Sequence, residues 1–321
     1  SFPTRRSSDL VIGAQMKNGR GSVALCSSKD AENWKFELVL AKSKEYEMVE
    51  CPDYFQVDGQ GILLYCPQHR DNESDSSLCS FSAYKEFDFN DIVSGKIEDS
   101  NMQNLDEGRK KMDQGFDFYA PQTLIDLKGR IIMMAWANTW EKEQIPKRKS
   151  LGWNGIMTFP RKVTLSNNKL MLMPVSEIDF YFKEVYSINN ILEITNPVDE
   201  NIKTFKDKKS GRIKFKISNS EKENIIHLCT KEDNKVSIHL SKSKLFIEKK
   251  SELEHLKREL ELTENMDEIL EFDILIDNSI IEIFINNGEI SFTSKLFFEY
   301  NSIIDFETIN GIISDIEIYY N

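Results

Sequence analysis

The sequence predicts an all-β chain in two domains. Three observations carry that expectation: short apolar runs at close spacing, Asp/Asn/Gly turns between them, and a change of composition near residues 175–185. Residues 21–26 and 34–40 flank the polar 27–33, which reads as strand, turn, strand by turn chemistry and alternation. Strand-like runs recur at 61–66 and 77–81, and the runs 123–127 and 130–136 are joined by the turn Lys128-Gly129. Several short strands with few helix-length apolar periods suggest a sandwich, a barrel or a propeller. Residues 175–182 read as a connector with a short helix capped by Ser176. Beyond it lie strand-like runs at 212–217, 224–229, 236–240 and 272–276. The run 279–285, the turn Asn286-Asn287-Gly288-Glu289 and the run 290–293 form the clearest hairpin signal, because Asn-Gly suits the positive φ of a tight turn. This half reads as a β-sandwich. Residues 249–271 are the exception, since their Leu and Glu content has helical character. Residues 1–10 lack the alternation of the segments after them and are expected to be a non-native leader. No internal repeat stands out.

A chain of 321 residues, 40% of them hydrophobic, can fill two cores. The formal charge of −12 and a pI near 5.0 argue against nucleic acid as a partner, which requires a basic surface. The longest apolar run, 131–137, falls far short of a membrane span. Five cysteines in an odd set without C-x-x-C spacing point to reduced thiols and a cytoplasmic location, not to a disulfide framework or a zinc site. A signal peptide preceding the chain would change that location. The four histidines lie far apart, so no metal is expected.

The segment Val49-Glu50-Cys51-Pro52-Asp53-Tyr54-Phe55 holds the strongest chemical candidate. It sets a carboxylic acid beside a thiol and ahead of a proline, among aromatics. A carboxyl in such a setting is a candidate proton donor. The plainer alternative is a solvated acid at a strand end, one of 53 Asp and Glu residues. Glycoside cleavage needs one acid to protonate the departing oxygen and a second carboxylate across the bond. In retaining enzymes the two lie about 5–5.5 Å apart.

Glu50-Cys51-Pro52-Asp53 resembles the acid/base motif of glycoside hydrolase family 32, which contains invertases, sucrose-6-phosphate hydrolases and fructan hydrolases. Gly13-Ala14-Gln15, Gly19-Arg20-Gly21-Ser22 and the Ser28-Lys29-Asp30…Asn33-Trp34 turn resemble the strands before that motif. Asp117-Phe118-Tyr119-Ala120-Pro121-Gln122-Thr123 is similar to the next signature, followed by Gly129-Arg130…Ala135-Trp136. Gly152-Trp153-Asn154-Gly155-Ile156-Met157-Thr158-Phe159-Pro160-Arg161 is similar to the loop and strand after it. Glu282-Ile283-Phe284-Ile285-Asn286-Asn287-Gly288-Glu289 resembles the late hairpin of the family's C-terminal sandwich.

The resemblance implies a five-bladed β-propeller with the active site at its axis, followed by a β-sandwich. It places an incomplete propeller at 11–175, a linker at 176–188 and the sandwich at 189–321. It implies hydrolysis of β-fructofuranosides with retention and without a cofactor, on a small carbohydrate such as sucrose, sucrose 6-phosphate or a fructan. Fructosyl transfer needs the same carboxylates and differs only in the acceptor. By this resemblance Glu50 is the acid/base and Cys51 shapes its surroundings. Asp117 and Tyr119 lie near the sugar, and Trp136 lines the pocket. Plainer readings stand beside these: packing for Cys51, a turn acid for Asp117, core aromatics for Tyr119 and Trp136. Trp153 reads as structural.

One departure is large. The family's nucleophile lies in a Trp-Met-Asn-Asp-Pro-Asn-Gly-type motif and its transition-state-stabilising Asp in an Arg-Asp-Pro motif, and neither string occurs here. Asp9 is not a credible substitute. The expectation is therefore an N-terminally incomplete sequence that does not turn over substrate alone. A catalytically dead fructoside-binding or scaffold protein is the competing expectation.

Overall fold

The computed structural model describes residues 8–69, 81–89, 102–138, 155–188, 192–193, 210–218, 223–231, 234–251, 255–262, 269–296, 304–308 and 312–320. Among these residues there are strands and one 3-10 turn, Ser176–Phe180, and no α-helix. The chain forms two compact units. The first takes in 1–112, 118–141 and 163–170, and the second takes in 113–117, 142–162 and 171–321.

In the first unit Ser8–Gln15, Gly21–Ser28 and Trp34–Lys42 pair antiparallel, with Gln103–Asn104 added in parallel on the far side. The expected hairpin forms for the reason its turn chemistry suggests. The Asp30 carboxylate accepts the Glu32 and Asn33 backbone N–H groups and the Asn33 side-chain amide. The strand begins at Ser8, so residues 8–10 of the expected leader pair with 26–28. A second antiparallel sheet orders Met48–Val57, Gln60–Gln68, Ala83–Glu86 and Lys110–Lys111. The strand read at 77–81 lies outside the described residues except for Phe81. One apolar cluster joins the two sheets, with Val23, Leu25 and Leu40 from the first and Val49, Leu63 and Tyr65 from the second. A further hairpin pairs Tyr119–Ile125 with Ile131–Ala137 through the expected Lys128-Gly129 turn. Asp126 closes that turn by accepting the Lys128 and Arg130 backbone N–H groups.

The second unit contains a seven-stranded sheet whose path runs Lys183–Ile188, Ile312–Tyr320, Ser210–Ser218, Ile269–Asp277, Ile280–Ile285, Ile290–Lys295, with Leu192–Glu193 also on Ile312–Tyr320. A five-stranded sheet orders His255–Glu261, Lys244–Lys250, Asn234–Leu240, Asn224–Lys231 and Ile304–Thr308. Their inner faces share one core, in which Phe215, Phe272, Ile274 and Ile283 meet Ile226, Leu228, Ile238 and Ile247. This is the two-sheet sandwich that period-2 alternation requires. The Asn286-Asn287-Gly288 turn carries three positive φ angles, 49°, 54° and 80°, and joins the two expected strands.

Three sequence expectations are corrected. Residues 249–271 contain no helix among the described positions. They end Lys244–Lys250, form His255–Glu261 and begin Ile269–Asp277. Exposed and half-buried positions alternate along His255–Glu261, so Leu256, Arg258 and Leu260 share the inward side while His255, Lys257, Glu259 and Glu261 face out. The stretch 176–188 is not a bare linker, because Lys183–Ile188 pairs with Ile312–Tyr320. Ser176 is not a cap: Val175 holds the cap position and no side chain bonds there.

Residues 113–117 run along Ile290–Lys295 by backbone bonds from Gln114 to Ser291 and from Phe116 and Asp117 to Thr293. Gly115 makes that approach possible, since a Cβ there would sit 2.1 Å from the Thr293 carbonyl oxygen.

Candidate active site

Glu50 lies on the strand Met48–Val57 immediately before a break in its pairing. Glu50 faces Cys66 and Asp53 faces Leu64, so Cys51 and Pro52 together oppose Tyr65. That is a β-bulge. Cys51 takes a φ of +45°, which costs a non-glycine residue about 1–3 kcal/mol and re-aims the side chains on either side. Proline suits the break because it has no N–H to give to a ladder.

The same device recurs on Tyr119–Ile125. Tyr119 faces Trp136 and Gln122 faces Met134, so Ala120 and Pro121 together oppose Ala135. Ala120 has a φ of +50°. Glu-Cys-Pro-Asp and Tyr-Ala-Pro-Gln are therefore matched bulges on two strands, and the residues just before each bulge meet. The Tyr119 hydroxyl donates to Glu50 Oε2 at 2.8 Å. Gln122 Nε2 donates to the carbonyl of the bulge residue Cys51 at 3.2 Å. Asp53 Oδ2 accepts both the backbone N–H and the hydroxyl of Thr123, at 2.8 and 2.7 Å.

Burial sets the chemistry of the groups around Glu50. Tyr119 is 1% exposed, and burial, followed by the nearby Cys66 and Glu50, pushes its hydroxyl pKa far up. It thus stays protonated and acts as a donor at any working pH. Cys66 is fully buried, and its thiol is pushed up to about 12 by burial, so it is chemically inert. Cys51 is exposed at the surface; partial burial, then the Glu50 charge, raises its thiol pKa. Replacing Glu50 by Gln removes the second cause. Alkylation of Cys51 at pH 8, read by site-resolved mass spectrometry, is expected to speed up by about two- to five-fold. An unchanged or slower rate would show that the two groups are not coupled.

The structure brings Glu50, Cys51, Tyr119 and the half-buried Trp136 to neighbouring strand positions. Asp117, the other residue expected near the sugar, takes part in a buried ion-pair cluster in the second unit. Asp117 is 1% exposed and its carboxylate lies 3.3 Å from Lys295 Nζ and 3.6 Å from Lys249 Nζ. It also accepts the Lys295 backbone N–H at 2.8 Å. Burial raises its pKa, but the two ammonium groups and the hydrogen bonds outweigh burial and hold it below the usual carboxylate range. A depressed pKa contributes stability that is present above the unfolded value, near 3.9, and lost as pH falls through the folded value. Unfolding followed from pH 6 to pH 2 is therefore expected to steepen below about pH 4. Asp117→Asn should flatten that slope, and an identical slope in the variant rejects the assignment.

A second cluster went unrecognised in the sequence. Arg161 is fully buried and sends Nε and Nη2 to Glu282 Oε2 at 3.0 and 2.7 Å, and Nη1 to Asp113 Oδ2 at 2.9 Å. Thr293, Ser291 and the Phe159 backbone N–H complete it. Two segments quoted for their resemblance, around Phe159-Pro160-Arg161 and around Glu282, thus meet through one ion pair. Trp153 and its neighbours at 151–154 lie outside the described residues. No group of three or more metal-ligating side chains occurs among the described residues, and no helix there is long and apolar enough to cross a membrane.

Two family profiles match the chain. The profile described as glycosyl hydrolases family 32 N-terminal domain matches residues 5–174, and that of the family 32 C-terminal domain matches residues 166–319. A sucrose-6-phosphate hydrolase of Vibrio alginolyticus is 30% identical over 306 residues, covering 90% of this chain and 57% of that protein. The raffinose invertase of Escherichia coli is 26% identical over 307 residues, covering 90% of this chain and 58% of that protein. Among solved structures, a Bombyx mori β-fructofuranosidase aligns at a TM-score of 0.76 and 23% identity over 97% of this chain and 62% of its own. A sucrose-6-phosphate hydrolase from Lactobacillus gasseri aligns at 0.76 and 22%, over 97% and 63%. The chain thus spans about three fifths of the length of the relatives it matches. The all-β reading, propeller sheets followed by a sandwich, agrees with these folds.

Proposed function

The chain belongs to glycosyl hydrolases family 32, and on that premise we propose that it carries the proton donor, Glu50, of a retaining β-fructofuranosidase. The observation that supports this most is the Glu50 carboxyl, partly exposed on a bulged strand and held by a buried tyrosine hydroxyl at 2.8 Å. A proton donor must be reachable by substrate and fixed in direction, and this one is both. Glu50 gives its proton to the departing glucosyl oxygen as a carboxylate attacks the anomeric carbon of fructose. The free Glu50 carboxylate then takes a proton from water, which releases fructose. Trp136 stands beside Tyr119 in register, and this reading makes it the aromatic edge of the sugar site.

The names of the relatives support sucrose or sucrose 6-phosphate as substrate. The chain contains no string of the Trp-Met-Asn-Asp-Pro-Asn-Gly type that bears the family's nucleophile. Alone, it is therefore expected to leave sucrose intact, whereas the chain joined to a segment bearing that motif releases fructose with the β-configuration retained, as read by proton NMR. Release of the inverted anomer, or steady turnover by the 321-residue chain alone, rejects this reading. The missing string also favours a second reading, a fructoside-binding protein without turnover. Calorimetric titration with fructose and sucrose separates the two: binding without hydrolysis by the joined protein supports the second. The odd cysteine set without C-x-x-C spacing is the support for a cytoplasmic location.

A further inference from the structure

We infer that Asp53 and Thr123 form a positioning clamp that sets the Tyr119 hydroxyl on Glu50; the inference rests on Glu50 being the proton donor. The strands Met48–Val57 and Tyr119–Ile125 belong to different sheets, so no backbone ladder sets one against the other, and each bulge leaves its extra residue out of its own ladder. Both strands are interrupted at this place, at Cys51-Pro52 and at Ala120-Pro121. Side-chain bonds between the two strands therefore set their relative position. Asp53 is the first residue back in register on its strand, and its single oxygen Oδ2 holds Thr123 twice, at 2.8 and 2.7 Å. Gln122, the first residue back in register on the other strand, holds the Cys51 carbonyl at 3.2 Å.

The Asp53–Thr123 bonds lie on one side of the two bulges, and the Tyr119–Glu50 bond lies on the other. A shift of one strand along the other by about 1 Å would carry the 2.8 Å contact past the useful range for a hydroxyl–carboxylate bond. A misplacement of that size costs about 10²-fold when it falls on a reacting group. Asp53 touches no reacting atom in this scheme. It acts through Thr123, and Thr123 through the strand that carries Tyr119. Burial raises the Asp53 pKa, while its bonds to Thr123 pull it back, as befits a carboxylate kept for an internal partner and not for solvent.

The test is a double-mutant cycle in the chain joined to a segment bearing the family's nucleophile motif, with sucrose as substrate. Asp53→Asn and Tyr119→Phe should each lower kcat about ten-fold or more while KM stays within about two-fold. The combined variant should be no slower than Tyr119→Phe alone, because the clamp has nothing left to position. Thr123→Val, which keeps the backbone N–H bond, should show a smaller loss of the same kind and serves if Asp53→Asn does not fold. Losses that multiply in the combined variant, or a kcat untouched by Asp53→Asn and Thr123→Val in folded protein, overturn the clamp. Glu50→Gln in the same background keeps the two ideas apart. Full activity there refutes the proton donor itself, whereas loss there with multiplying clamp variants refutes the clamp alone.

Discussion

Glu50→Gln, introduced into the chain joined to a segment bearing the family's nucleophile motif, is expected to lower sucrose hydrolysis by about 10²–10⁴. Gln fills the same space and can still accept from the Tyr119 hydroxyl, so the local structure should survive. What it cannot do is release a proton to the glucosyl oxygen. The loss should therefore fall on kcat, and it should depend on the leaving group. A fructoside whose leaving group departs readily as an anion, such as a nitrophenolate, needs little protonation and should lose much less. That contrast separates lost acid catalysis from general damage to the pocket, which would slow both substrates alike. Retention of sucrose hydrolysis within a few-fold would remove Glu50 from the role.

The largest expected effect on stability lies away from the site. Arg161→Met should destabilise the second unit by about 3–5 kcal/mol, because it leaves Asp113 and Glu282 as buried charges without their counter-ion. Burial already pushes the Glu282 pKa up, and the Arg161 charge pulls it back. Without Arg161 that pull is gone, so the folded variant binds a proton at Glu282 that the unfolded chain releases. A raised folded pKa means stability is greatest at low pH and declines as pH rises through it. The penalty should accordingly be larger at pH 8 than at pH 5, measured by urea unfolding at both. Arg161→Lys should not restore stability, since one ammonium cannot reproduce the fork that reaches Glu282 twice and Asp113 once. A pH-independent loss below about 1 kcal/mol would mean that the network contributes little net stability.

Where sequence periodicity meets a half-buried sheet, it was a sufficient guide. The hairpins at Asp30-Asn33, Lys128-Gly129 and Asn286-Gly288 stand where turn chemistry puts them. Residues 249–271 misled because Leu and Glu favour helices in isolation, whereas His255–Glu261 is fixed by pairing with Lys244–Lys250, a partner that propensity does not register. The matched bulges were also legible in principle. Glu-Cys-Pro-Asp and Tyr-Ala-Pro-Gln share a small residue before proline, a repeat of two positions too short to notice without knowing that both fall on strands.

The candidate site divides along the same line. Glu50, Cys51, Tyr119 and Trp136 could be named from local motifs, because each motif records a local need: an acid beside a bulge, a proline without a donor, an aromatic ahead of one. Their assembly could not be read that way, since Glu50 and Tyr119 lie 69 residues apart and meet only when two interrupted strands run side by side. Asp117 shows the reverse case. It sits two residues from Tyr119 in sequence, yet its charge is taken up by Lys249 and Lys295, far along the chain. By itself the sequence determined the hairpin turns named above and the carboxyl proposed as proton donor. Only the tertiary structure decided which carboxylates are spent on buried lysines and arginine, because Coulomb partners are chosen by distance in space and not by spacing in the chain.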